Sequence, residues 1–146
     1  MSALTTAYEA YEKPGLVIAY KLATTKAYKG GLLAITTAGY VTPMNPATAS
    51  LKFAGVAHET IDNSGGNPGD HSLVTAKSGS FVMKAAAGYS PVMGDIGKEV
   101  YAASDNEVQT STSGLSNTYK VGTIVNIETT STGAAGVRIR IDSYVV

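Results

Sequence analysis

Few residues of this chain could carry chemistry, and the two histidines come first. His58 and His71 are the only histidines, and the carboxylates of Glu59, Asp62 and Asp70 lie close to them in the sequence. Nitrogen and oxygen donors of this kind can bind a divalent metal ion. The spacing matches no ligand motif, such as two histidines four residues apart on one helix face, and both histidines flank a glycine-rich turn. We therefore expect surface histidines and predict no metal site.

Two other segments resemble catalytic or phosphate-binding motifs in part. Gly88-Tyr89-Ser90-Pro91-Val92 begins like the nucleophile elbow of a hydrolase, but the second glycine is missing and a proline follows the serine. Gly65-Gly66-Asn67-Pro68-Gly69 is as rich in glycine as a phosphate-binding loop, but no Lys-Ser/Thr pair follows it and no helix is expected after it. Neither motif is complete, so we predict neither activity.

Lys77 is the last candidate for chemistry. It stands in Ala76-Lys77-Ser78-Gly79, a setting that resembles the hairpin lysine of lipoyl and biotinyl carrier domains, which are also duplicated β units. The acidic or methionine neighbours of that lysine are missing, so we interpret Lys77 as an ordinary turn lysine. The chain has no cysteine and hence no thiolate. We predict no catalytic residue and no cofactor, and therefore not an enzyme.

Length and charge restrict the remaining functions. A chain of 146 residues is typically one domain. Its 11 basic and 11 acidic side chains cancel without clustering, which disfavours direct binding of nucleic acid, because that function needs a basic patch. No apolar run reaches the roughly 20 residues of a membrane span, and residues 1–6 do not read as a signal peptide. We expect a protein made in a cytoplasm that binds no membrane.

The segments around these residues favour β-structure. Glycine, serine and threonine are abundant and strong helix formers other than alanine are sparse. Val137, Ile139 and Ile141 alternate with Arg138 and Arg140, which predicts a half-buried strand. A turn of helix is expected over Ala85-Ala86-Ala87-Gly88, a hinge at Ser78-Gly79, and loops over residues 42–50, 58–69 and 111–118. Further strands are predicted at residues 16–20, 51–57, 72–76, 80–84, 97–101, 107–110 and 121–127. The apolar run over residues 30–41 is predicted to meet a turn at Ala38-Gly39.

The sequence pattern also indicates that one β unit occurs twice in the chain. An offset of 67 residues carries Gly30 onto Gly97, and the same offset carries Gly55 onto Gly122 without a gap. Glycines that recur in register indicate recurring backbone demands. We predict a degenerate tandem β unit, with copies at about residues 28–76 and 95–143.

The N-terminal residues lack a core-like apolar pattern. This segment contains Tyr8 and Tyr11 with charged residues beside them, and the Pro14-Gly15 pair marks its end. Tyrosine suits interfaces because it buries a large ring and keeps a polar tip. We predict an extended N-terminal arm over residues 1–15, a loosely attached tail being the alternative, followed by a single β domain over residues 16–146.

Several short motifs, read in order, resemble one known family. The likeness covers most of the chain from Tyr11 onward. The motifs are Tyr11-Glu12-Lys13-Pro14-Gly15, Lys29-Gly30-Gly31-Leu32-Leu33, Phe53-Ala54-Gly55-Val56-Ala57, Pro68-Gly69-Asp70, Gly79-Ser80-Phe81-Val82, Ile96-Gly97-Lys98-Glu99-Val100-Tyr101, Val121-Gly122-Thr123-Ile124 and Val137-Arg138-Ile139-Arg140-Ile141. The family that they resemble is that of the capsid cement, or decoration, proteins of tailed bacteriophages.

The resemblance implies a small β-barrel or β-tulip fold and a homotrimer, or in some cases a dimer. It also implies binding to the major capsid protein on the outer surface of an assembled head, with the arm adding to the edge of a capsid strand. The residues then expected to touch the capsid are Leu4, Tyr8, Tyr11, Lys13 and Pro14. The alternative function is a β-rich fibre or adhesin-type binding module of a virion or cell surface, which exposed aromatic platforms would favour.

Overall fold

The computed structural model describes residues 16–142, which form an almost entirely β fold. The only helical element in this range is one 3₁₀ turn at Met93–Asp95. The prediction of an all-β fold with a small barrel is confirmed. The strands are β1 (Val17–Lys21), β2 (Lys26–Ala27), β3 (Leu32–Ile35), β4 (Val41–Pro43), β5 (Lys52–Ala57), β6 (Ile61–Asp62), β7 (Ser72–Ala76), β8 (Ser78–Ala85), β9 (Glu99–Ala102), β10 (Glu107–Gln109), β11 (Lys120–Ile127) and β12 (Gly136–Asp142).

Most strands belong to two sheets that follow each other along the chain. The first sheet has the order β1-β7-β5-β3-β4, and the second is a closed barrel with the order β10-β8-β12-β11-β9. A parallel contact between β10 and β8 closes the barrel. In the first sheet a single parallel bridge between Leu22 and Val41 occupies the equivalent place. β2 and β6 pair separately as a short ribbon.

The two sheets repeat one pairing scheme at the offset of 67 residues. In the first sheet, β3 and β5 pair so that Leu33 lies opposite Gly55. In the barrel, β9 and β11 pair so that Val100 lies opposite Gly122. Both pairings slip by one residue at the next position, which places a bulge at the equivalent point of each sheet. Register and bulges are specific features of a strand pair, so their agreement indicates a repeated backbone.

Backbone hydrogen bonds follow the same offset. The N–H of Gly30 donates to the C=O of Ala57 at 2.8 Å, and the N–H of Gly97 donates to the C=O of Ile124 at the same distance. β1 and β8 also correspond in strand order, although both precede the predicted copies at residues 28–76 and 95–143. Those bounds, and the division into residues 1–15 and 16–146, stay predictions.

One hydrophobic core joins the two sheets. On β12, Val137, Ile139 and Ile141 are fully buried while Arg138 and Arg140 are exposed, as the alternation predicts. These three side chains belong to a cluster that both sheets supply, and a smaller cluster lies within the first sheet. The first sheet and the loop after β4 contribute Leu32, Ala34, Met44, Leu51 and Val56 to the shared cluster.

Several local predictions are wrong. The turn of helix expected at residues 85–88 does not form, because Ala85 ends β8 and lies opposite Val108 of β10. Strand pairing there overrides the helix propensity of alanine. The hinge expected at Ser78-Gly79 lies inside β8, and the predicted loop over residues 42–50 starts only after Pro43. The long connection over residues 58–69 contains β6, which pairs with the equally unexpected β2.

Replacing Gly55 by alanine tests the close approach of strands in the first sheet. A Cβ at Gly55 would stand 2.1 Å from the carbonyl oxygen of Ala76, and φ is +140°. We expect Gly55→Ala to lower the free energy of unfolding by about 3 kcal/mol or more, measured by urea denaturation. Gly122→Ala, whose Cβ would lie 2.6 Å from the Arg140 carbonyl oxygen, should cost about 1–2 kcal/mol.

Gly65→Ala is the matched control for these two substitutions. No atom lies within 4 Å of a Cβ at Gly65, so its effect should stay within about 0.5 kcal/mol. Equal effects at Gly55 and Gly65 would contradict the close strand approach.

Candidate functional site

Both histidines lie on the surface of the first sheet's connections, as predicted. His58 and His71 are exposed, and their backbone groups continue the sheet pairing. The N–H of His58 donates to the Val74 carbonyl at 2.9 Å, and the His71 carbonyl accepts from Leu22 at 2.8 Å. Within residues 16–142, no group of three histidine or carboxylate side chains lies close enough to hold a metal ion.

The carboxylates near the histidines instead organise the glycine-rich loop. The Asp62 carboxylate accepts from both the hydroxyl and the N–H of Ser64, and the hydroxyl bond lowers the pKa of Asp62 most. Asp70 accepts from the N–H of Asn67 at 2.8 Å. Buried Asn63 donates its amide to three backbone carbonyls around the loop. These polar groups therefore brace the loop internally and tie it to the backbone at Leu22 and Ala23, just after β1.

The partial nucleophile motif forms an exposed turn. Gly88 has φ of +84°, and Ser90 is exposed in the segment after β8. Both histidines belong to connections of the first sheet, whereas Ser90 follows a strand of the barrel. The sequence motif therefore does not place a described histidine next to this serine in the fold.

The interpretation of Lys77 as an ordinary turn lysine is wrong. Lys77 is the single residue between β7 and β8, and it is only 2% exposed. Its ammonium donates to the carbonyl of Ala54 at 2.8 Å and lies 5.1 Å from the centre of the Tyr20 ring. Its N–H also donates to the carbonyl of Leu16. A lysine so enclosed connects strands and is closed to a modifying enzyme.

An exposed apolar loop is the most unusual surface feature of the barrel. Val92, Met93 and Ile96 are 59%, 67% and 42% exposed, although each is a side chain that normally gains by burial. The backbone of the segment is nevertheless tied down: Ile96 bonds to Met93, and Gly97 bonds to Ile124 of β11. We call residues 92–96 the apolar loop.

Asp95 holds the apolar loop in place from inside. Its buried carboxylate accepts hydrogen bonds from Lys98 at 2.8 Å, from the Tyr89 hydroxyl at 3.0 Å and from the N–H of Val92 at 3.1 Å. The Lys98 bond lowers the pKa of Asp95 most. Burial, with the nearby carboxylate, raises the pKa of Tyr89 to about 12. The loop thus presents apolar side chains on a braced backbone.

The open edge of β1 is a second unusual surface. β1 is an apolar strand that pairs with β7, and on its other side the described residues make one strand contact, the bridge between Leu22, just after β1, and Val41 of β4. The Leu16 carbonyl accepts from the N–H of Lys77, just after β7, and the N–H of Leu22 donates to the carbonyl of His71, just before it. In an antiparallel ladder the alternate residues 17, 19 and 21 therefore turn their N–H and C=O groups away from β7. Leu16 and Val17 are 64% and 44% exposed.

The residues expected to contact a capsid are not among those that the structure describes. Leu4, Tyr8, Tyr11, Lys13 and Pro14 fall outside the described residues, directly before β1. The apolar loop was missed at the sequence level. Its signal is three apolar residues, Val92, Met93 and Ile96, whose spacing between Pro91 and Gly97 lacks the alternation of a strand.

Replacing Asp95 by asparagine tests the brace of the apolar loop. Folding lowers the pKa of Asp95, so its contribution to stability is present above the ordinary value of 3.8 and is lost as the pH falls through the lowered folded pKa. Asp95→Asn should therefore reduce stability at neutral pH and flatten the loss of stability below about pH 4, measured by urea unfolding. Hydrogen exchange at the Ile96 N–H should also accelerate.

Asp105→Asn removes a carboxylate outside this network and serves as the control. If the two variants show the same pH dependence and the same exchange rate at Ile96, Asp95 does not brace the loop.

Across residues 16–142 there is no helix of the length and apolar character needed to cross a membrane. Comparison with known proteins gives no further assignment: no protein-family model, no curated protein and no solved structure matches the chain.

Proposed function

We propose that this chain is a structural virion protein that binds the outside of an assembled phage head and stabilises it by bridging major capsid protein subunits. The proposal rests on the family resemblance of the sequence and on one structural observation. That observation is the open, apolar edge of β1, which residues 1–15 directly precede.

Strand addition explains why this edge matters. An extended segment that joins a sheet edge gains main-chain hydrogen bonds and makes few demands on side chains. Monomeric proteins usually protect such edges, because an exposed one pairs with other chains. β1 carries only one charged residue, Lys21, at its far end. In this proposal residues 1–15 add to a strand of the major capsid protein, and β1 extends the contact.

The apolar loop provides a second contact on the barrel. Apolar side chains held on a fixed backbone lose little conformational entropy when a partner covers them. The loop and β1 belong to different sheets. A protein with two separate contact regions can join two neighbouring capsid subunits.

Modest contacts suffice for this function. A micromolar site contributes about −8 kcal/mol, and a homotrimer or dimer that engages several subunits gains further through effective concentration. A protein that binds only the closed shell opposes its opening. The work is mechanical and needs no catalytic group.

The fibre or adhesin alternative has less support. Binding of sugars favours exposed aromatic platforms, and the one strongly exposed aromatic ring among residues 16–142 is that of Tyr28. The ammonium of Lys26 already lies 4.9 Å from the centre of this ring.

Deleting residues 1–13 tests the proposed attachment. The truncated protein should keep its β circular dichroism and its unfolding transition, because the described core begins at residue 16. It should no longer sediment with purified heads that lack the protein. Heads decorated with the full chain should survive higher temperature and stronger osmotic shock than bare heads. Equal survival would contradict stabilisation, and attachment of the truncated protein would contradict the role of the arm.

A proline at Ala19 tests the edge of β1 without deleting anything. The N–H of residue 19 points away from β7, so Ala19→Pro removes an outward donor and preserves the sheet. Ala19→Thr keeps that donor and favours a strand. We expect the proline variant to bind heads at least about ten-fold more weakly than the threonine variant, at equal thermal stability. Equal binding of the two variants would exclude β1 from the contact.

A further inference from the structure

A long groove lies between the two sheets, apart from the apolar loop and the outer edge of β1. Its volume is about 710 Å³, which falls in the range of roughly 300–1,000 Å³ typical of ligand sites. Its lining comes from the start of β5, from β11 with the residues before it, and from the end of β12. β5 and β11 are equivalent strands of the repeat, so the groove lies where the two copies meet.

The groove carries an excess of positive charge. Lys52, Lys120 and Arg140 line it, and Asp142 is the one acidic residue of the lining. Lys120 is paired with Glu99 at 2.8 Å, an exposed ion pair that contributes little. No described carboxylate lies within ion-pair distance of Lys52 or Arg140. An anionic ligand would find two cations there whose charge no described ion pair offsets.

The walls of the groove also provide backbone groups to which a ligand can hydrogen-bond. β5 pairs with β7 only through Val56 and Ala57, so the start of β5 has no described strand partner on that side. The pairing of β11 with β12 starts at Thr123, and Lys120 and Val121 before it line the groove instead. Both walls are therefore strands at the point where their pairing ends, and an extended chain can hydrogen-bond to such a wall.

These features favour a peptide over other anions. The Tyr119 hydroxyl already donates to the Thr48 carbonyl at 2.6 Å and accepts from Leu51, and its ring packs against the core. It is thus not arranged as a stacking surface for a sugar or a base. A nucleic acid would need a broader basic surface than a neutral chain with Asp142 and Glu99 beside the groove provides.

We propose that the groove between β5 and β11 binds an extended acidic peptide segment of a partner protein. The carboxylates of the segment pair with Lys52 and Arg140, and its main chain bonds to the strand ends. This inference does not depend on attachment to a phage head, because it concerns another surface and is tested without heads.

The test uses the full chain and a fluorescent peptide of about eight residues in which Glu alternates with Val, a pattern that suits an extended strand. Fluorescence anisotropy should show saturable binding that weakens as salt rises through about 0.05 to 0.5 M. Lys52→Glu and Arg140→Gln should each weaken binding about three- to ten-fold, since each removes one charge pair. The same peptide with Gln in place of Glu should bind far more weakly.

Three controls keep the outcome decisive. Lys29→Glu makes the same charge change outside the groove and should leave binding unchanged. A peptide with an N-methyl group on every backbone amide keeps its side-chain charges and should lose binding, because neither of its edges can donate hydrogen bonds to the strands. Should a groove variant fail to fold, the salt and N-methyl series on the unaltered protein still decide. The third control is an acidic oligogalacturonide, an anion without a peptide backbone, which should bind more weakly than the peptide. Binding that survives N-methylation, binding equally sensitive to Lys29→Glu, preference for the oligogalacturonide, or no binding would each overturn the proposal.

Discussion

The passage from the first sheet to the barrel through a single residue constrains the whole molecule. β7 ends at Ala76 and β8 begins at Ser78, so the two sheets must meet at Lys77. A buried ammonium is tolerated only when its charge is compensated by hydrogen bonds or a partner. The carbonyl of Ala54 and the ring of Tyr20 provide such compensation from β5 and β1. One side chain therefore ties two strands, β1 and β5, to the junction between β7 and β8.

The repeat explains how two halves with different side chains adopt one backbone. At the equivalent bulges, one sheet skips Ala54 and the other skips Val121. Gly55 and Gly122, beside those bulges, each lie against a carbonyl of a neighbouring strand, so both copies need a residue without a side chain at the same place. The requirement is one of backbone geometry. Side chains elsewhere are free to differ, provided that the inward positions stay apolar.

Features of the fold that depend on the local sequence pattern were predicted correctly. The alternation on β12 predicted its buried and exposed faces, and the glycines in register pointed to the repeated pairing. Features that depend on tertiary context were missed. Lys77 was interpreted as an ordinary turn lysine because the neighbours of a carrier-domain lysine are missing, and nothing near it in the sequence reveals Ala54 as its partner. The Ala85 segment favours helix in isolation, but a strand pairs with it.

The candidate surfaces also combine features that a local sequence pattern predicts with features that depend on tertiary context. The start of β1 was visible as a short apolar run, but its open edge follows from the order of strands, which no local pattern contains. Nothing in the sequence marked Asp95, since its three donors come together only in the folded turn. The apolar loop depends on that turn, so its exposure was equally hidden.

Because the two copies of the repeat lie in one chain, a substitution in one copy is not repeated in the other. A dimer of separate identical subunits must accept every substitution on both sides of its symmetry axis. Here Lys52 and Phe53 of one copy are equivalent to Tyr119 and Lys120 of the other, and all four line the cleft where the copies meet, which therefore has two unlike sides. In such a cleft the two directions in which a chain could lie are not equivalent.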